Sequence, residues 1–397
     1  MIKFDFSTFM SLEGENEYND KIHDIRKKLE SNDKVFDFSD VDKSISPNEI
    51  EKIIRVSNYV RKNTDVFLVI GIGGSYLGSK AVIEVFSKYF KKSKVEIIYA
   101  GFSLSSTYLN ELIDYIKDKE VIVNVISKSG TTLETNITFN AIYSLMKEKY
   151  TKTELRKRII ITTDKKKGKL RKLVEKERFI SFKINSNIAG RFSCFTPAGL
   201  LPMAVSNINI ARLLDGVRKG KKDIDKAFLY AIVRDLLYKN GRKIESFTVY
   251  EPKLYYLTEW LKQLFGETQG KNNIGLFPVN CINSRDLHSM GQYYQEGEDI
   301  VFETVINIIN NDDIIINNKS LNEINNLALL KVAEAHKNHT PSNIIHMDYL
   351  NEENIGELMY FFMMSATIGA YLMGVNPFDN EGVKKYKKGL IEEVNKI

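Results

Sequence analysis

The chain has 397 residues, 43% of them hydrophobic, enough for two ordinary domains with substantial cores. Lys and Arg number 57 against 51 Asp and Glu, and this scattered +6 argues against obligate nucleic-acid binding while leaving room for small anionic ligands. Cys194 and Cys281 make no disulfide framework, no Cys/His spacing matches a structural zinc site, and the acidic N-terminal stretch has no apolar signal core.

In chain order the pattern alternates short β-branched runs with longer periodic segments. A strand over 65–70 leads through a Gly-rich turn to a helix over 79–92. A strand over 95–100 precedes a helix over 106–119. A strand over 121–126, a Ser/Thr-rich turn and a helix from Leu133 to about Tyr150 follow, and a strand over 158–164 opens a basic loop. Residues 201–242 are mostly helical and join two similar halves. The second half repeats the alternation: strands over 247–251, 275–280, 299–308 and 343–350, and helices over 254–267 and 321–336. Such alternation predicts an α/β chain of two doubly wound domains, over 1–205 and 206–397, with mostly parallel sheets flanked by helices and a C-terminal helical segment.

Three segments carry alternatives. Residues 358–375 are uncharged over about the length of a membrane span, yet the run contains Ser365, Thr367 and Gly369 and has no basic cluster directly beside it, so a helix buried in an α/β core is the expected reading. The Asn-rich stretch 306–326 reads as a loop plus a helix start. His336, His339 and His346 lie close in sequence, but no carboxylate or cysteine completes a recognised metal spacing.

Ligands of open α/β sheets bind beyond the carboxyl ends of strands, which directs attention to the turns. In GIGGSYLGS (71–79) glycines allow close backbone approach to a ligand, or serve a tight strand-to-helix turn. A dinucleotide fingerprint would need a third glycine where Tyr76 stands, which disfavours a nicotinamide cofactor. In SKSGTTLET (127–135) four hydroxyls and a lysine fall within six residues. They exceed what a helix cap requires and suit a phosphate monoester, and no nucleotide-binding GxxxxGK[ST] accompanies them.

With AGRFSCFTPAGLLP (189–202), KQLFGETQGK (262–271), DLHSMGQYYQEG (286–297) and NPFDNEGVKKYKKG (376–389), these turns form six motifs in order, and together they closely resemble the phosphoglucose isomerase (glucose-6-phosphate isomerase) family. The resemblance covers roughly residues 65–390. It implies two sugar-isomerase (SIS) type domains and interconversion of glucose 6-phosphate and fructose 6-phosphate through a cis-enediol. It also implies no cofactor or metal, no nucleic-acid or membrane partner, a cytoplasmic homodimer, and a sugar phosphate as the small-molecule partner. Ala189 stands where the family usually has glycine, and Asn380 where it often has glutamine. Activity on mannose 6-phosphate is not legible in the sequence.

Carried over position by position, the resemblance assigns phosphate binding to Ser127, Lys128, Ser129 and Thr132, with Gly74 and Ser75 contributing from the first turn. Glu267 becomes the proton-transfer base and Gln263, one helical turn earlier, a partner for sugar hydroxyls. His288 becomes the ring-opening group, supplied across the dimer interface, assisted by Lys387. Arg191 becomes the cation beside the enediolate. From local sequence, Glu267 is expected where a helix breaks between Gly266 and Gly270.

Overall fold

The computed structural model of the chain describes residues 2–5, 18–31, 33–91, 93–128 and 130–394. Its first strands are β1 (Ile2–Asp5), β2 (Val66–Ile70), β3 (Glu96–Ala100), β4 (Val121–Ile126), β5 (Ile159–Asp164) and β6 (Ile180–Ile184). They are followed by β7 (Ile244–Val249), β8 (Phe277–Ile282), β9 (Val301–Asn310), β10 (Ile315–Ile316), β11 (Lys319–Ser320) and β12 (Ser342–Tyr349). The molecule divides into two compact units, Lys34–Ile210 with Val383–Ile397, and Met1–Asp33 with Ala211–Gly382.

The unit built on Lys34–Ile210 holds a five-stranded sheet in the order β3-β2-β4-β5-β6. Every neighbouring pair is parallel. All residues of β2 and β4 are buried, as continuous apolar strands covered on both faces should be. Leu68, Val123 and Ile161 pack with Phe139 and Ile142 of the helix Leu133–Lys149. Local signals start the helices: Ser46 caps Pro47–Asn63, and Thr151 with Glu154 forms a capping box for Lys152–Arg158. After β2 the chain moves to one side for β3 and to the other for β4, so the order reverses between β2 and β4. Their carboxyl ends are this sheet's topological switch point.

The second unit's sheet runs β1-β12-β9-β7-β8. Strands β7, β8, β9 and β12 are parallel, and β1 adds antiparallel to β12 with Ile2 opposite Met347 and Asp5 opposite Ile344. The first residues of the chain therefore belong with the second sheet, which a linear division at residue 205 does not anticipate. The reason is an open edge: β12 presents unpaired backbone groups, and β1 satisfies them while Ile2 is buried and Lys3 and Asp5 face out.

The helix Glu352–Leu372 is long and apolar enough to cross a membrane, yet nearly all of it is buried within the protein. It packs against the helices Ile224–Lys239 and Tyr255–Gln269, as a core helix does. The Asn-rich stretch contains more order than a loop: β9 runs on to Asn310 and β10–β11 form a hairpin. Its two turn residues, Asn317 and Asn318, both adopt left-handed backbone, at φ 50° and 60°.

Between helix and sheet lies a buried polar chain. Glu245 accepts from Tyr230 Oη at 2.6 Å and from Arg234 Nε at 2.8 Å and Nη2 at 2.6 Å, and Arg234 Nη1 donates to Gln269 Oε1 at 2.9 Å. Gln269 in turn donates to the carbonyl of Ala366 at 3.0 Å. This network pins the last turn of the helix Tyr255–Gln269, the helix that carries Gln263 and Glu267.

Candidate functional site

At the switch point of the first sheet, the two signature turns meet. A β-carbon on Gly71, just past β2, would lie 3.2 Å from the carbonyl oxygen of Ile126, the last residue of β4. Gly73–Ser75 form a single 3₁₀ turn entered with Gly73 at φ +59°, a left-handed conformation that glycine adopts without strain. Gly74 then backs onto Gly190, and Gly78 onto Cys194. The place of a third dinucleotide glycine is filled by the Tyr76 ring, stacked on Phe102 with centroids 5.4 Å apart. These glycines thus serve contact with the segment 190–194 as well as the turn itself.

The turn after β4 is built around Ser127. The residue is buried, its Oγ accepts the Gly130 amide at 3.1 Å, and it stands 3.5 Å from Thr132 Oγ1. Thr163 Oγ1 donates to the Ser127 carbonyl at 2.7 Å, fixing the turn to β5. Thr132 occupies the N-cap position of the helix Leu133–Lys149 but its side chain makes no capping hydrogen bond. Its hydroxyl is therefore placed toward Ser127 and not spent on the helix end. Lys128 is exposed as a residue, but its Nζ donates to the Ile188 carbonyl at 3.3 Å in a partly buried bond. Loss of hydration there lowers its pKa below the ordinary lysine value, opposed by the charge of Asp164. Ser129 lies outside the described residues.

Arg191 is the second residue of the 3₁₀ segment Gly190–Phe195 and is buried, its guanidinium carbon 5.5 Å from the Phe192 ring centroid. Ala189, before it, has φ −68° and ψ 149°, a conformation ordinary for any L-residue. Gly74, Ser75, Ser127, Lys128, Thr132 and Arg191 all lie in this unit, on turns that follow β2, β4 and β6.

The second unit carries the carboxylate. Glu267 does not mark a break: the helix runs through it to Gln269 and ends at Gly270, held by the Arg234–Gln269 bond. Local sequence could not show this, because the restraint comes from a helix some thirty-five positions away. Glu267 is half-buried, accepting from Gln263 Nε2 at 3.1 Å and from Asn380 Nδ2 at 3.4 Å. Asn380 reaches it because Lys271, just past the helix, donates to the carbonyls of Asn376 and of Asp379, the latter at 3.0 Å, and pairs with the Asp379 carboxylate at 2.9 Å. Asn380 is thus a residue that sequence reading notes only as a departure; its contact with Glu267 carried no local signal.

His288 stands exposed in the first turn of the helix Leu287–Glu296. Asp286 anchors that turn: it accepts the Ile282 amide at 2.7 Å and two bonds from Arg285, at 2.6 and 2.8 Å. Lys387 is exposed on the helix Glu381–Val394. His336, His339 and His346 are separately engaged. His336 Nδ1 lies 2.9 Å from Glu303, His339 Nε2 lies 2.7 Å from the Gly297 carbonyl, and His346 Nδ1 lies 3.2 Å from Asn307. Among the described residues no group of three or more His, Cys, Asp or Glu side chains is arranged to hold a metal.

The family model described as phosphoglucose isomerase matches residues 47–274. The glucose-6-phosphate isomerase of Caldanaerobacter subterraneus is 42% identical over 371 residues, covering 86% of this chain and 82% of its own. That of Bacillus thuringiensis (strain Al Hakam) is 37% identical, covering 100% and 96%. The chain belongs to the phosphoglucose isomerase family. A crystal structure of a glucose-6-phosphate isomerase from Chlamydia trachomatis shares the fold, with a TM-score of 0.77 at 22% identity, over 88% of this chain and 74% of that one. In this phosphoglucose isomerase family member the Ala189 departure is accommodated by an ordinary backbone conformation. The Asn380 departure keeps a side-chain amide on Glu267.

Proposed function

We propose that the chain interconverts glucose 6-phosphate and fructose 6-phosphate, and that Glu267 carries the proton between C1 and C2. The observation that carries this reading is the Glu267 carboxylate, met at each oxygen by a side-chain amide, in a chain whose family is phosphoglucose isomerase. A base oriented in this way is ready to act without rearrangement.

Ser127, Lys128, Ser129 and Thr132, with Gly74 and Ser75, hold the phosphate dianion through hydroxyls and backbone amides, and binding energy gained there positions the reacting carbons. His288 and Lys387 move protons between the ring oxygen and the C1 hydroxyl to open the ring. Glu267 takes the C2 proton of the open aldose, and electrons shift toward the carbonyl oxygen to give the enediolate. Arg191 stabilises that charge without losing its own proton. A proton passes from the C2 hydroxyl to the C1 oxygen, and Glu267 then returns its own proton to C1, so that C2 becomes the carbonyl carbon of the ketose. Gln263 binds sugar hydroxyls.

The exposure of His288 supports a homodimer in which each His288 serves the partner's site. Two free cysteines and a buried apolar helix fit a cytoplasmic enzyme, and the family resemblance is the basis for a reaction without a metal. The test is a coupled assay of fructose 6-phosphate conversion with and without a chelator. Activity unaffected by the chelator is expected; activity abolished by it overturns the metal-free reading, and no conversion overturns the assignment.

A further inference from the structure

We propose that the pocket at the carboxyl ends of β5 and β6 is a second anion site, distinct from the turn after β4, for a compact ligand bearing two or more phosphoryl groups. The cavity is about 470 Å³, within the range of ordinary ligand sites. Lys165, Lys166 and Lys167 reach it from the turn after β5, Lys183 from the end of β6 and Lys43 from the helix Val41–Ser44. Five lysines lining one concavity concentrate like charge there, and a bound polyanion relieves that repulsion.

The two carboxylates in the lining, Asp164 and Glu49, are engaged locally. Asp164 Oδ1 accepts the amides of Lys166 at 2.7 Å and Lys167 at 2.9 Å, bonds that hold its pKa below the usual aspartate range. The same bonds fix the backbone of the turn, so three consecutive lysines project from a rigid base. Glu49 accepts from the Ser46 hydroxyl within the cap of the helix Pro47–Asn63.

The chemistry of the ligand follows from the rest of the lining. Among the described residues Ile184 is its one apolar side chain and no aromatic ring lines it, so they offer no platform for a nucleobase. Recognition rests on charge. A single phosphate is already served by the hydroxyls and amides after β4, whereas an excess of ammonium groups over carboxylates suits a more highly charged anion. Both a bisphosphorylated hexose and inorganic tripolyphosphate have this chemistry.

The full chain is titrated calorimetrically at low salt with tripolyphosphate and, separately, with fructose 1,6-bisphosphate. Saturable binding is expected, weakened about tenfold or more in K165Q/K166Q/K167Q. It should be nearly unchanged in K88Q/K91Q/K94Q, which removes equal charge elsewhere, and in S127A/T132V, which removes hydroxyls of the turn after β4. The tighter of the two ligands identifies the source. Equal weakening in both lysine variants, loss of binding in S127A/T132V, or no saturable binding overturns the proposal.

Discussion

Gly74 and Gly190 stand backbone to backbone: a β-carbon on Gly74 would lie 1.9 Å from the Gly190 carbonyl oxygen and 2.8 Å from the Arg191 amide nitrogen. Two turns that are 116 positions apart are therefore locked together at a spacing that only glycine allows. Ser193 reinforces the contact, its Oγ donating to the Gly190 carbonyl at 2.7 Å and lying 3.3 Å from that of Gly74.

Gly74→Ala should therefore displace the Gly190–Arg191 segment, because the clash is with backbone and not with a side chain that can turn away. The expected loss is about 1–3 kcal/mol or more in denaturant unfolding, together with most of the turnover. Ala189→Gly, beside it, should lower stability by only about 0.4–1 kcal/mol through the unfolded chain and leave turnover near wild type. Equal effects of the two substitutions would refute the steric account.

Glu267→Gln should lose about 10²–10⁴-fold or more in kcat while keeping its affinity for the sugar phosphate. Asn380→Ala should lower kcat by roughly tenfold with little change in KM, since it removes an orienting bond and leaves the base in place. Asn380→Gln should retain substantial activity. Steady-state kinetics on the three variants checks the order.

Arg234→Met leaves Glu245 buried without its cation and Gln269 without its donor. Breaking a buried pair in this way is expected to cost about 3–5 kcal/mol, read as a lower urea midpoint. A second readout separates this from a purely global effect: amide exchange should rise first in the last turn of the helix Tyr255–Gln269, near Glu267.

Asp286 supplies a pH dependence. The Arg285 guanidinium beside it, followed by the Ile282 amide, holds its pKa below the ordinary value of 3.8, with burial opposing. A depressed folded pKa means that the unfolded chain binds the proton more readily. The stabilisation is thus fully present above the ordinary aspartate value and is lost as pH falls through the lower folded value. Melting temperature measured from neutral pH down to about pH 2 should show an acid-side slope that Asp286→Asn flattens. An unchanged slope in that variant would remove Asp286 from the account.

Local features are legible in the sequence itself. The turns GIGGSY and SKSGTT, the buried runs 66–70 and 121–126, and the long apolar helix are written in short-range patterns, because turn chemistry and hydrophobic periodicity act over a few residues. The order of the six motifs also points to the family. What tertiary structure alone decided depends on groups far apart in sequence. The open edge of β12 recruited β1, and Arg234 kept the helix intact past Gly266 by holding Gln269. Lys271 drew the turn 376–379 in until Asn380 met Glu267 across 113 positions. A sequence of 397 residues with 43% hydrophobic content sets which segments become strand, helix or turn. Which turn meets which is set by packing and by the need to satisfy buried polar groups, and these act only once the chain has folded.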